Sequence, residues 1–436
     1  MVYIIKIKNI AYEHYVQLHT SGKGLDIFST IYKNQSSLKL NNSMAHVFYS
    51  QIKSQNIKKL EFRMGFLNDI DTLKKTLINI FNVYREMLTS NYFINKEYKA
   101  ITLIGIVFHF IKQEKVNNIE KCCIGFGKIT NRDLDEKYLE QAKIIAKLRR
   151  EIPKLDNYIV GIDAASKKLI ISPYVFKKAY EELRSYESMK TTDENNSAFV
   201  KEIGFTYHVG EDFRDIVSGL RQVDETIEEL HFKSGDRIGH GIVIGINIDK
   251  WAELNPSVYI KAEEYLDNLL WEWNLYTKNR EFKNIENISY LEREIYNIVD
   301  YIFGFSAGVR VIDLYECYTK KRRRECLNNK YGCELKSLLK KKYMILNNKN
   351  KDDNHIEDLN WTPQKIYNAL NCYYFIKEMD KNVMINIDRD AISKYKKLQQ
   401  HMKKKISNKQ IILEINPTSN LVIGDFKTFE DYHVSN

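Results

Sequence analysis

At 436 residues, the chain is long enough to bury a large core, either in one domain with an insertion or in two or three smaller domains. Apolar residues make up 44% and charged residues 28%, which is ordinary for a globular protein and excludes a mainly disordered chain. The 67 Lys and Arg against 57 Asp and Glu leave a net charge of +10. This moderate excess is compatible with nucleotides or nucleic acid as partners but does not demand them.

The sequence indicates neither a targeting segment nor a disulfide framework. The apolar start MVYIIKIKNI is interrupted by Lys6 and Lys8, and no apolar run approaches the roughly 20 residues that span a bilayer. The six cysteines are sparse and form no CxxC pair, so a cysteine zinc site is not expected. We therefore expect a cytoplasmic protein with reduced thiols and no membrane partner.

Short apolar runs alternate with longer amphipathic stretches along much of the chain. Strands that alternate with helices are typical of a parallel sheet covered by helices, and repeated units of this kind predict an α/β fold of the (β/α)8 TIM-barrel type. The six runs that we predict as strands lie at 56–66, 100–112, 157–166, 199–211, 235–245 and 410–424.

One long interval breaks this spacing. Residues 245–409 contain aromatic residues at helical spacing, and we predict a large helical insertion between strands six and seven of the barrel. The predicted division is therefore 1–244 for the first part of the barrel, 245–409 for the insertion, and 410–436 for strand seven and the following loop. Basic runs at 320–325, 340–342 and 403–405 are more often solvated charge than nucleic-acid sites.

The residues that could carry chemistry lie at the predicted strand ends, where parallel barrels place their active sites. In FTYHVGEDFRD, His208 and Glu211 follow one strand, and His240 in RIGHG follows the next. A histidine there can bind zinc, a nearby glutamate can transfer protons, and a second histidine can orient a metal-bound water. Taken alone, such a pair is more often a carboxylate at a helix start beside a hydrogen-bonded histidine than a functional site.

Five segments, in order over residues 57–424, resemble those of the adenosine deaminase family of metal-dependent hydrolases. KKLEFRM resembles the family's E-x-R of strand two, and IVGIDAAS its GxDLAG of strand four. YHVGE resembles HAGE at strand five, DRIGHG resembles RIGHG at strand six, and LEINPTSNLVIG resembles E-x-C-P-T-S-N at strand seven, with Asn416 in place of the cysteine.

This resemblance implies a role for each candidate. His208 would be a ligand of a catalytic Zn²⁺, and Glu211 would protonate the purine ring nitrogen while hydroxide attacks the carbon that bears the amino group. His240 would act as the base or electrostatic anchor for the attacking water. The implied reaction is hydrolytic deamination of adenosine, of an adenine nucleotide or of adenine in RNA to the inosine form.

The strand-four segment is the one that contacts substrate in the family. Carried over, it implies substrate-binding roles for Gly161, Asp163 and Ser166. Ser166 stands where the family has a glycine, which is a departure from the family's substrate contact.

Two family elements do not appear in the sequence. Strand one should carry HxH, but the nearest candidates, His14 and His19, are five apart and would lie on opposite faces of a strand. Strand eight should bring an aspartate pair, whereas Asp352-Asp353 precedes strand seven in a polar stretch. We therefore expect an incomplete barrel without strands one and eight: a gene fragment, a split gene with a complementing chain, or a degenerate paralogue. Because catalytic zinc needs about three protein ligands, such a chain would by itself hold zinc poorly and be inactive.

The large insertion makes the layout most similar to the deaminase-like subunits of bacterial anti-phage systems. That resemblance implies a homo-oligomer or complementing chain, an ATPase partner and a role in antiviral defence. Two alternatives stay open: a catalytically incomplete deaminase-like fragment acting as an assembly or binding module, and nucleic-acid binding through the basic runs.

Overall fold

The computed structural model describes residues 58–66, 69–89, 102–112, 131–165, 172–185, 200–211, 213–282, 285–303, 309–323, 366 and 378–414. Within them lies a sheet of six parallel strands, numbered here with two others in chain order: β1 Lys59–Gly65, β2 Leu103–Ile111, β3 Ile159–Ala165, β4 Gly204–Val209, β5 Arg237–His240 and β8 Ile412–Glu414. The spatial order is β1-β2-β3-β4-β5-β8, so each strand pairs with the next one that the sequence predicts. The prediction of an α/β fold with a parallel sheet is thereby confirmed as a curled half-barrel of six strands.

Helices that follow the strands bury one face of this sheet. Along β2, the alternate residues Ile104, Ile106, Phe108 and Phe110 are buried, and they belong to the same core cluster as the apolar faces of the helices. The helices between the first five strands are α1 Ile70–Thr89, α2 Asn131–Glu151, α3 Lys177–Ser185 and α4 Ile216–Glu229. In the described part of the chain, no helix is both long enough and apolar enough to cross a membrane.

The chain between β5 and β8 is mostly helical where it is described. Its helices are α5 Ile242–Gly245, α6 Ile248–Leu254, α7 Ala262–Lys278, α8 Ile285–Phe303, α9 Val311–Arg323 and α10 Arg389–Asn408. It also contains an antiparallel pair of strands, β6 Ser257–Lys261 and β7 Asn382–Asn386, which the sequence pattern does not predict. The two strands are more than 100 residues apart in the chain, so no local turn signal announces their pairing.

Charged residues on the concave face of the sheet join its distant strands. Arg237 of β5 donates two hydrogen bonds to Glu61 of β1, at 2.6 and 2.7 Å, and Arg63 of β1 pairs with Glu414 of β8. In a flat sheet, with strands about 4.8 Å apart, β1 would lie about 19 Å from β5 and about 24 Å from β8. These contacts therefore require the curled shape and help to hold it.

The basic run at 403–405 lies on α10, and two of its lysines form ion pairs. Lys405 pairs with Asp224 and Glu228 of α4 at 2.5 and 2.6 Å, and Lys404 pairs with Glu281 at 3.2 Å. Much of this local positive charge is therefore compensated within the protein. The run at 340–342 lies outside the described residues, as do the last two residues of the run at 320–325.

The Glu61–Arg237 pair predicts a pH-dependent contribution to stability. The hydrogen bond from Arg237 holds the pKa of Glu61 below its ordinary value of 4.5. Because the Glu61 carboxylate has a lower pKa in the folded than in the unfolded protein, its ionised form stabilises the fold. This contribution is complete at pH values above the unfolded-state pKa and is lost as the pH falls through the folded-state pKa. Because both side chains are about a third exposed, we expect Glu61→Gln to lower the free energy of unfolding by about 1 kcal/mol at pH 7.

Urea denaturation at a series of pH values measures this contribution. The difference between wild type and Glu61→Gln should be constant above pH 6 and shrink below about 4.5. Asp380→Asn, which breaks the half-exposed Lys261–Asp380 pair, is the matched control and should cost less. A Glu61→Gln effect that does not change with pH would contradict this assignment.

Candidate functional site

Polar side chains from five strands converge on the concave face, near the carboxyl ends of the strands. They are Arg63 on β1, His109 on β2, Asp163 on β3, His208 on β4 and Glu414 on β8. The sheet register places His109 directly beside Asp163, and Glu414 beside Gly239, which in turn pairs with His208. Because parallel strands end at the same edge of a sheet, residues up to 351 positions apart meet in one cluster.

Asp163 is the centre of this cluster. Its side chain has no exposed surface, and its Oδ1 lies 2.8 Å from His208 Nδ1. The other oxygen, Oδ2, lies 3.0 Å from His109 Nε2 and accepts a hydrogen bond from Arg63 Nη1 at 3.1 Å. Burial alone would raise the pKa of Asp163, but the close contact with His109, the hydrogen bond with His208 and the charge of Arg63 hold it well below its usual range. Asp163 is therefore a buried carboxylate that fixes three neighbouring side chains.

His208 is oriented by its neighbours on both sides of the ring. With Asp163 at Nδ1, the second nitrogen, Nε2, lies 3.5 Å from Arg63 Nη1. The ring of His240, from the next strand, lies 4.9 Å away between centroids. Gly239 leaves the space that the His208 ring fills, since a Cβ atom at 239 would come within 2.8 to 3.0 Å of ring atoms. Gly239, the first glycine of RIGHG, thus makes room for the ring of His208 on the preceding strand.

Lys112 fixes the backbone at the end of β4. It follows β2, it is buried, and its Nζ donates a hydrogen bond of 2.7 Å to the carbonyl oxygen of His208. The same ammonium group lies 3.9 Å from the centroid of the Tyr207 ring, which is a favourable cation–π distance. Lys112 therefore ties the end of β2 to the residue that Asp163 orients.

His240 ends β5 with a left-handed backbone, at φ +65°. A positive φ is uncommon for residues other than glycine, although histidine, like asparagine and aspartate, adopts it more often than most, and such residues cluster at functional sites. Hydrogen bonds hold it there: Gly241 N donates to Val209 O at 3.1 Å, and Val243 N donates to Gly210 O at 2.9 Å. These bonds join the turn after β5 to the turn after β4.

The other predicted site residues fall in several places. Glu211 is partly buried and lies in the turn between β4 and α4, directly after Gly210 with its φ of +83°. Gly161 lies where a Cβ atom would approach Val107 and the Gly204 carbonyl to 3.2 and 3.3 Å, so a close approach between strands explains the glycine. Ser166, the two histidines before residue 20 and the aspartate pair at 352–353 lie outside the described residues.

The orientation of His208 fits that of a metal ligand. Metal-binding histidines usually donate the other ring N–H to a carboxylate, as the Nδ1 contact with Asp163 allows here, and Nε2 then offers its lone pair. Among the residues that the structure describes, no group of three or more His, Cys, Asp or Glu side chains is arranged to hold a metal ion. Any further ligands would have to come from other residues of the chain or from a second chain. The Arg63 guanidinium would also have to withdraw from Nε2.

The motifs in the sequence assign no role to three residues that hold the site together, namely Arg63, Lys112 and Glu414. Arg63 belongs to the motif-like segment KKLEFRM, where it and Glu61 alternate with apolar residues, whereas Glu414 belongs to LEINPTSN and ends an apolar run. The alternation in KKLEFRM is a usable signal, because residues two apart in a strand share one face, so Glu61 and Arg63 mark a polar side of the sheet. Lys112 follows its strand without such a signal.

Gly239→Ala should disrupt the site through the His208 ring. The added methyl group would force the ring away from Asp163, and we expect a loss of about 1 to 3 kcal/mol in the free energy of unfolding. Gly65→Ala is the matched control, because a Cβ atom at 65 meets only Ile111 Cδ1, at an ordinary 3.8 Å. Chemical denaturation of the two variants compares them directly, and equal stability would show that Gly239 leaves no required space.

The left-handed backbone at 240 predicts an unusual order of stability. His240→Gly should be more stable than His240→Ala by about 1 kcal/mol, because only glycine adopts this conformation without a steric penalty. At position 208, inside β4, the order should reverse, since glycine weakens a strand. Denaturation of the four variants tests this. If the alanine variant is the more stable at 240 as well, His240 does not have the backbone described.

The sequence was compared with models of known protein families and with curated proteins, and neither comparison gave a match. The resemblance to the adenosine deaminase family therefore rests on the five segments. Four of them supply residues to the cluster around Asp163, and His240 of the fifth lies against it.

Proposed function

We propose that this chain carries part of a zinc-dependent deaminase site that converts adenosine, an adenine nucleotide or adenine in RNA to the inosine form by hydrolysis. The observation that carries the proposal is the contact between the buried Asp163 and His208 Nδ1 at 2.8 Å, with the His240 ring 4.9 Å away. Such an arrangement leaves His208 Nε2 as a ligand nitrogen at the carboxyl ends of the strands, beside a second histidine.

In such a site, one residue of the chain would bind the metal ion and two others would position that residue. His208 would hold the metal, together with ligands from beyond the described residues or from a complementing chain. Zn²⁺, when bound, supplies a water of lowered pKa as the nucleophile. Asp163 keeps His208 in one tautomer and orientation, and Lys112 fixes the backbone carbonyl of the same residue.

Proton transfer is assigned to Glu211, which follows β4, and to His240, which ends β5. In the proposed reaction, His240 orients the attacking water and receives its proton. Glu211 gives a proton to the purine ring nitrogen, which neutralises the negative charge that develops as the ring is attacked. The C–N bond to the amino group then breaks, and that group takes up a proton and leaves as ammonia. The hydrogen bonds between the two turns, from Gly241 and Val243 to Val209 and Gly210, keep the acid and the base in a fixed relation.

The proposed substrates are adenosine, an adenine nucleotide and adenine in RNA, which share the reacting ring. The insertion after β5 supports the narrower proposal of an anti-phage deaminase subunit that forms a homo-oligomer or joins a complementing chain and an ATPase. The compensated lysines of α10 give no support to RNA binding through the run at 403–405.

A second candidate function is a non-catalytic assembly or binding module that retains the barrel shape. The position of Arg63 favours it, because a guanidinium 3.5 Å from His208 Nε2 opposes a cation at that nitrogen. Two carboxylates, Asp163 and Glu414, hold Arg63 in this place.

The zinc content and deaminase activity of the full chain distinguish the two candidates. For a deaminase, zinc and turnover should occur together, measured by mass spectrometry and by conversion of adenosine, AMP or an adenine-containing RNA. His208→Ala should lose both. Glu211→Gln and His240→Gln should keep zinc and lower kcat/KM by about 100-fold or more.

His231→Gln is the matched control, because His231 is more than half exposed and lies away from the strand ends. Its zinc content and turnover should equal those of the wild type. A zinc-loaded chain that deaminates none of the three substrates would support the module instead. Undiminished turnover by His208→Ala would overturn the proposed site.

A further inference from the structure

One face of α10, in the chain between β5 and β8, contacts both turns that follow the candidate strands. Tyr395 and Gln399 are four residues apart, so they lie one above the other on the same side of the helix. Both are buried, at 1% and 7% exposure. Their polar groups reach different turns of the barrel.

Tyr395 holds the turn after β4. Its hydroxyl group donates a hydrogen bond of 2.8 Å to Oδ1 of Asp215, a buried residue four positions after Glu211. Asp215 is also the N-cap of α4, where its Oδ2 accepts from Ser218 N at 3.3 Å. Asn268 of α7 adds a hydrogen bond of 3.1 Å to the same oxygen. The turn that carries Glu211 therefore ends on a carboxylate bound by two helices from the predicted insertion.

Gln399 holds the turn after β5. Its Nε2 donates hydrogen bonds to the carbonyl oxygens of Val243 at 3.0 Å and Ile246 at 2.9 Å. Both residues lie in the short α5 region directly after His240. Because α5 has a single turn, its last carbonyl oxygens have no N–H donor within the helix. Gln399 donates hydrogen bonds to two carbonyl oxygens of this region instead.

We propose that Tyr395 and Gln399 are positioning residues: they make α10 a clamp that sets Glu211 and His240 relative to each other. The catalytic meaning of this clamp rests on the proposed deaminase function, whereas the mechanical coupling does not. The inter-turn bond from Val243 N to Gly210 O makes the two turns one unit, and α10 fixes that unit from behind. The predicted insertion is then part of the site's support and not only an assembly element.

The coupling can be tested on the full chain by hydrogen exchange. Gln399→Glu replaces the donating NH₂ with an oxygen that repels both carbonyl groups, and Tyr395→Phe removes one hydroxyl group. We expect amides in the 240–247 turn to exchange about tenfold faster in Gln399→Glu, and amides in 210–218 to do so in Tyr395→Phe. Each variant should also loosen the other turn to a smaller extent.

Gln400→Glu is the matched control, because it makes the same chemical change one residue away on the exposed side of α10. It should leave both turns unchanged. Amides of α1, at 70–89, provide an internal reference: a merely structural role would speed exchange there too, whereas positioning affects the two turns alone. Equal exchange of the turns in Gln399→Glu and Gln400→Glu, with no response to Tyr395→Phe, would overturn the clamp.

Kinetics separates the clamp from the proposed function. If the wild type deaminates adenosine, Tyr395→Phe and Gln399→Glu should lower kcat about tenfold at unchanged KM, because the chemistry is misaligned while binding is retained. If the wild type is inactive but both turns still loosen, the proposed function fails and the clamp stands. Unchanged kcat in variants whose turns have loosened would show that α10 does not position catalytic groups.

Discussion

The buried carboxylate of Asp163 is the interaction on which the site depends. A fully buried charge is tolerated only when its partners replace the water that it has lost, and Asp163 has Arg63, His109 and His208. Removal of any one of them would leave part of that charge uncompensated. The His208 ring is therefore held in its orientation by the contact that the buried Asp163 charge requires, and no bound ligand is needed to orient it.

The same ion pairs shape the sheet and build the site. Arg63 reaches Asp163 on β3 and Glu414 on β8, and it can do so only if the strands curl around a common interior. Glu61 and Arg237 make a second such connection at the level of the strand starts. On the outside, α10 closes against the turns after β4 and β5, so the chain between β5 and β8 supports these turns from the side opposite to the ion pairs.

The sequence predicts the strands well, because six apolar runs with helical stretches between most of them leave few ways to arrange a parallel sheet. The same pattern of apolar runs also predicts that the candidate residues lie at strand ends. The partners of those residues could not be predicted this way, since alternation reports which face a side chain occupies but not which distant side chain it meets. Asp163 was assigned to substrate contact by resemblance, and in the structure it binds His208 and has no exposed surface. The β6–β7 pairing and the contacts of Gln399 depend equally on tertiary packing.

The tautomer of His208 tests the central claim most directly, namely that Asp163 fixes the ring with Nε2 turned to the strand ends. In the metal-free full chain, nitrogen-15 NMR of the histidine side chains, with His208→Gln for assignment, distinguishes a proton on Nδ1 from one on Nε2. In the neutral ring, the proton should be on Nδ1, because Nδ1 faces the Asp163 carboxylate and Nε2 faces a guanidinium donor. A proton on Nε2 would contradict the account, since that nitrogen could then neither accept from Arg63 nor serve as a ligand.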